Sequence, residues 1–122
     1  YIQPDVAHAG GISELKRIAN MAEVYYIHIM PHCAIGPVAL TACMHVDAAV
    51  PNFLIQEMVG PDRLMSDIVQ VAWKIVDGHI ELPTVPGLGI EVDEKEAAKM
   101  SAYTEELGGE HFYESDGSVA DW

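Results

Sequence analysis

Three titratable side chains recur at near-equal intervals in the first half of the chain: Asp5, His32 and Glu57, 27 and 25 residues apart. Their types suit proton transfer. A carboxylate bonded to one imidazole nitrogen fixes the tautomer, raises the ring's basicity and leaves the other nitrogen free to take a proton. A second acid nearby can hold a substrate or donate a hydrogen bond to it. Each residue also has an ordinary reading. Asp5 can cap the loop before Gly10-Gly11, His32 can pack behind Pro31 with one hydrogen bond, and Glu57 can be a solvated surface acid. Their joint placement favours chemistry.

That placement comes from the elements around them. Tyr1-Ile2-Gln3 reads as the end of a strand stopped by Pro4-Asp5. After Gly10-Gly11, Ser13 is placed to cap a helix with Glu14 in its first turn. Leu15, Ile18, Ala19 and Ala22 then repeat at helical spacing, one buried stripe. Residues 25–30 predict a second strand, which ends at Pro31-His32. Residues 37–50 predict a helix with Pro37 in its first turn, apolar nearly all round and therefore buried. Pro51-Asn52 breaks it, and Phe53-Leu54-Ile55 forms a third strand ending at Gln56-Glu57. The order β-α-β-α-β with short loops is that of a parallel sheet. In such folds the carboxyl ends of the strands open on one face, so Asp5, His32 and Glu57 converge on one mouth.

Other reactive side chains carry less. His8, in the loop after Asp5, faces the same mouth and can touch a substrate or order the loop. His28 lies inside a strand and packs, His45 sits on an apolar helix as a satisfied core residue, and His79 and His111 belong to the surface. Cys33 follows His32 but lacks the surroundings of an activated thiol, and is read as a spectator. No phosphate-binding loop, dinucleotide fingerprint or zinc-ligand spacing is present.

Composition narrows the class. Six basic residues against nineteen acidic ones give a formal charge of −13, which disfavours nucleic acid and anionic membrane as partners because phosphates would be repelled. Half of the 122 residues are hydrophobic, enough for one small folded domain. No apolar run reaches the roughly 18 residues of a membrane span. Cys33 and Cys43 make neither a disulfide framework nor a C-x-x-C motif, which points to a reducing, cytoplasmic setting. The chain lacks a starting Met and opens within a strand, as a piece of something longer would.

The second half is patterned differently. Val69, Val71, Trp73 and Ile75 alternate with Gln70, Ala72 and Lys74, predicting a half-buried strand. Asp77-Gly78 signals a hairpin turn, with His79-Ile80-Glu81-Leu82 as the returning strand. A connector rich in Pro and Gly follows over residues 83–89, and residues 94–107 predict a short acidic helix.

Ile2-Gln3-Pro4-Asp5 with Gly10-Gly11-Ile12, Pro31-His32 with Gly36-Pro37, Gln56-Glu57, Asp77-Gly78, Leu82-Pro83 and Pro86-Gly87-Leu88-Gly89 together resemble the C-terminal part of the enolase superfamily. Within it the set is most similar to the mandelate racemase subgroup, and closest to acid-sugar dehydratases of galactonate type. The ending Asp116-Gly117-Ser118-Val119-Ala120-Asp121-Trp122 resembles the same branch. The resemblance implies an α/β fold: residues 1–60 as the C-terminal part of a modified (β/α)8 TIM barrel, its last three strands, and residues 61–122 as a C-terminal extension packing on a capping domain. It implies His32 as the general base that removes the proton α to a substrate carboxylate, Asp5 as the group raising its basicity, and Glu57 as hydrogen-bonding that carboxylate and stabilising the enediolate. Loss of the β-hydroxyl then gives a 2-keto-3-deoxy sugar acid.

The family's Mg²⁺ is held by three acidic residues on strands upstream of these, and the acid that helps the hydroxyl leave is upstream as well. A whole barrel takes ~250 residues. The expectation is therefore a piece of an Mg²⁺-dependent lyase that alone neither binds the metal nor turns over substrate. Its partners would be a small sugar acid, the missing N-terminal part of the enzyme, and further copies in a homo-oligomer. Two other readings stay open: a racemase or epimerase of a 2-hydroxy acid using the same dyad, and a non-catalytic fragment.

Overall fold

The computed structural model describes residues 1–60, 68–100, 112–113, 116 and 119–120. Its first part is built on three short extended segments running side by side in one direction. Ile2 bridges Ile29, Ile29 bridges Phe53 and Asp5 bridges His32, all parallel. The backbone bonds alternate as a parallel ladder requires. On one side Ile2 N–H donates to His28 O and Met30 N–H to Ile2 O; on the other Ile29 N–H donates to Asn52 O and Leu54 N–H to Ile29 O. Ile29, at the crossing, is fully buried. The second segment starts later than its apolar pattern predicts. Tyr25 caps the preceding helix and Tyr26 turns the chain at φ 57°, so both stay outside the sheet.

Helix α1 (Ile12–Val24) buries Leu15, Ala19 and Ala22, three of the four positions of the predicted stripe. Ser13 does not cap it. Gly11 takes the N-cap with φ 95°, a conformation that a residue with a Cβ rarely adopts, and the helix begins before Ser13 can serve. Helix α2 (Pro37–Asp47) starts on Pro37 and is buried nearly all round through Leu40, Thr41, Ala42, Cys43, Met44 and Val46. Asn52 joins α1 to the sheet: its side-chain amide donates to Ala19 O at 2.9 Å and to Ile27 O at 3.0 Å. Cys33 and Cys43 are both free and buried.

The second part is antiparallel. Strand β1 (Val69–Val71) pairs with β4 (Ile90–Val92), and β2 (Ile75–Val76) with β3 (His79–Ile80). The turn at Asp77-Gly78, with φ 49° and 74°, is the predicted hairpin. The continuous strand expected over 69–75 is divided. Ala72 N–H still donates to Gly89 O, but Trp73 leaves the ladder and enters the core formed by α1, α2 and Ile29, where its indole N–H donates to Thr41 Oγ1 at 3.0 Å. Burying the indole is worth more than two further ladder bonds on an exposed edge. Helix α3 (Glu94–Met100) is capped by Asp93, whose Oδ1 accepts from Lys95 N–H and Glu96 N–H. The rest of the helix expected to residue 107, and His111, lie outside the described residues. Beyond them, β5 (Phe112–Tyr113) pairs antiparallel with β6 (Val119–Ala120). No helix among the described residues is long and apolar enough to cross a membrane.

Candidate active site

The parallel ladder carries Asp5 and His32 to adjacent positions on the same rim, where His32 N–H donates to Pro4 O at 3.2 Å. Asp5 is held from behind by its own loop. Its Oδ1 accepts from Ala7 N–H at 2.7 Å and His8 N–H at 3.2 Å, an arrangement that orients the carboxylate and leaves Oδ2 pointing across the strands. His32 Nδ1 lies 2.7 Å from that oxygen. With Nδ1–H donating to Asp5, the basic nitrogen of the neutral ring is Nε2. Nε2 faces outward, 4.0 Å from Glu57 Oε2. The three residues singled out by spacing therefore converge.

The electrostatics follow from this geometry. Burial works against a charged Asp5, but the hydrogen bonds from His32, Ala7 and His8 outweigh it and hold the carboxyl below its ordinary range. The hydrogen bond to Asp5 raises His32 above the ordinary imidazole range; desolvation opposes this and the charge of Glu57 adds to it. The result is a base of increased strength with one nitrogen open to solvent: the side chain of His32 keeps 40% of its surface exposed.

The remaining candidates fall elsewhere. His8 is exposed, and it is its backbone N–H that contacts Asp5. His28, expected to pack inside a strand, is exposed; its Nδ1 lies 3.3 Å from Asn52 O, to which a ring N–H there donates, and the ring stacks on Tyr1. His45 pairs with Leu88 O at 3.3 Å, and His79 is exposed. Cys33 is fully buried with its thiol against Gly36 O, which closes it to substrates.

Two polar residues were given no role by the sequence. Gln56 donates from its side-chain amide to Pro31 O at 2.8 Å and to Glu57 O at 2.5 Å, at the root of the site. Asp47, at the end of α2, is buried with Oδ1 unpartnered among the described residues, and burial pushes its carboxyl up to about 7. The sequence signal for Gln56 was its place beside Glu57 at the strand end and in the resemblance; for Asp47 it was only a polar residue in an apolar helix.

The donor set does not suit a magnesium ion on this chain. Asp5 is already engaged by three hydrogen-bond donors, Glu57 stands as a single carboxylate, and the described residues hold no group of three or more His, Cys, Asp or Glu able to hold a metal ion.

A histidine–carboxylate pair stands at the carboxyl ends of parallel strands, the rim on which α/β folds build their ligand and active sites. The chain belongs to the Enolase C-terminal domain-like family, whose model matches residues 1–97. It is 42% identical over its full length to a D-galactonate dehydratase family member from Streptomyces bingchenggensis, covering 30% of that protein. It is similar to the crystal structure of an enolase from Agrobacterium radiobacter with bound sodium and L-malate: 35% identity, TM-score 0.73, 98% of this chain and 33% of that one. It is also similar to an enolase from Pantoea ananatis with bound D-gluconate and magnesium: 32% identity, TM-score 0.71, 81% of this chain and 24% of that one. The chain spans 30% to 34% of the length of the curated relatives it matches.

Proposed function

We propose that this chain is the C-terminal portion of an acid-sugar dehydratase of galactonate type. His32 Nε2 removes the proton α to the carboxylate of an aldonate such as galactonate or gluconate. The electron pair of the broken C–H bond moves into the carboxylate, giving an enediolate. Asp5 strengthens the base and stabilises the imidazolium that forms. Glu57, in its carboxylic acid form, donates a hydrogen bond to the substrate carboxylate and to the enediolate as charge develops there. The β-hydroxyl departs as water, and the enol tautomerises to the 2-keto-3-deoxy acid. The bond of 2.7 Å between Asp5 Oδ2 and His32 Nδ1, with Nε2 turned toward Glu57, is the observation that carries this reading.

In the same proposal, residues 1–60 belong to a (β/α)8 barrel and residues 61–122 to an extension reaching a capping domain. Magnesium ligands and the acid for the leaving hydroxyl sit on the upstream part, and the enzyme works in the cytoplasm as a homo-oligomer.

The test uses the full-length protein containing this chain, a panel of aldonates with Mg²⁺, and deuterated water. Formation of a 2-keto-3-deoxy acid carrying solvent deuterium at C3, where the enol is protonated as it tautomerises, supports the reading. Exchange with inversion and retention of the β-hydroxyl would instead identify a racemase or epimerase. Absence of both across the panel would sink an α-proton chemistry for these substrates.

A further inference from the structure

The parallel ladder on the Phe53 side does not run true to the rim. Leu54 N–H donates to Ile29 O at 3.0 Å, so a continued ladder would bring Gln56 N–H to Pro31 O. The bond found there comes from Glu57 N–H, one residue further on, and it is long at 3.3 Å. Pro31 has no N–H to give in return, so the strand pair is weakest where the register slips. The slip has a use. Successive side chains of a strand point to opposite faces, and one extra residue exchanges the faces of those that follow. Glu57 is thereby aimed at His32, while the side chain of Gln56 turns back and donates to Pro31 O at 2.8 Å, a shorter bond than the backbone one.

We propose that Gln56 is a positioning residue of the site: its side-chain amide supplies at Pro31 O the ladder bond that its own backbone loses, and so fixes Glu57 against His32. The same amide reaches Glu57 O at 2.5 Å, so one side chain ties the carbonyl before His32 to the carbonyl of Glu57. Its Oε1 is buried and unpartnered among the described residues, so the donor half alone anchors the group. The inference rests on the proposed function for the roles of His32 and Glu57. It adds a residue that touches neither the substrate nor the proton in flight.

The experiment follows the His32 ring by NMR titration in the full-length protein, with kcat and KM on any aldonate that the panel shows to be turned over. Gln56→Met keeps the volume and removes both bonds. Gln56→Asn keeps an amide but shortens its reach, and guards against failure of the first variant to fold. In either folded variant the His32 midpoint moves to lower pH as Glu57 drifts away, and kcat falls about tenfold to a hundredfold with KM changed far less, the scale expected for an ångström of misplacement. A variant that only melts earlier, with His32 midpoint and kcat unmoved, overturns the proposal. An ordinary His32 midpoint in the unmodified protein overturns the dyad instead, and a midpoint that still responds to Gln56 would uphold the positioning role without it.

Discussion

Two aspartates of this molecule expose the same 8% of their surface, and the protein treats them in opposite ways. Asp5 lies in a loop folded around it, with two backbone N–H groups on one oxygen and an imidazole on the other. Asp47 ends a helix packed among apolar side chains and borders a cavity of about 720 Å³ that Met44, Phe53, Met58 and Ile80 also line. The first carboxyl is held below its ordinary range and the second is raised to about 7. Residual exposure therefore does not set the charge state: Asp47 is desolvated by the apolar side chains around it, and Asp5 is compensated by its hydrogen bonds. Hydrogen-bond donors decide how far that desolvation is offset, and a loop can fold to bring them where the C-terminal end of a helix, its own N–H groups spent on carbonyls, cannot.

The comparison breaks most visibly at the site. In the full-length protein His32→Asn should lower α-deuterium exchange by about 10²–10⁴-fold with the fold intact; exchange at the unmodified rate would remove His32 from the role of base. Asp5→Asn is the sharper probe. The base becomes weaker, so the rise of rate with pH begins at lower pH and reaches a lower plateau. A pH–rate profile superimposable on that of the unmodified protein would mean that Asp5 does nothing for His32.

Stability should divide the two aspartates as well. A lowered Asp5 contributes stability that is present above its ordinary value of 3.8 and is lost as pH falls through its lowered one. A raised His32 contributes below its ordinary value of 6.5, and the gain is lost as pH climbs through its raised one. Asp47 has the reverse sense to Asp5. Its penalty is absent below 3.8, grows as pH rises and is complete above about 7. Asp47→Asn should therefore stabilise the protein at pH 8 by about 1–3 kcal/mol, the cost of a buried polar group without a partner, and by nothing near pH 3. Denaturant melts at the two pH values decide it, and a loss of stability at pH 8 would show that the charged form has a partner.

Thr41 supplies the smallest and cleanest contrast, since it is a fully buried polar residue with every need met. Its hydroxyl donates to Pro37 O at 2.8 Å and accepts from the Trp73 indole at 3.0 Å. Thr41→Val leaves that indole without an acceptor and should cost about 1–2 kcal/mol in thermal or denaturant unfolding, with catalysis in the full-length protein unchanged.

The sequence already displayed much of this arrangement, and its silences have a physical cause. The βα period alone puts Asp5, His32 and Glu57 at strand ends, because an element of fixed rise brings each end to the same rim. The stripe Leu15, Ala19, Ala22 announced α1 for a similar reason. The part of Gln56 was illegible because it depends on a slip of one residue against a neighbouring strand, opposite a Pro31 more than twenty positions away that has no N–H to give. Asp47 looked like an ordinary polar helix end, since nothing local says what packs over it. Trp73 fitted an alternating strand, and only the indole's bond to α2 explains why the strand divides there.

That indole has one more consequence. The sequence holds two tryptophans, Trp73 and Trp122, and Trp73 is sealed between the hairpin segment and α2 with its N–H on Thr41. Its emission should be shifted to the blue while the segment stays seated, and move to the red, with new access to quenchers, when it lifts away. With Trp122 replaced by Phe, the protein carries its own optical gauge of that seating, readable on the millisecond scale of a stopped-flow mixer and blind to whether any substrate is present.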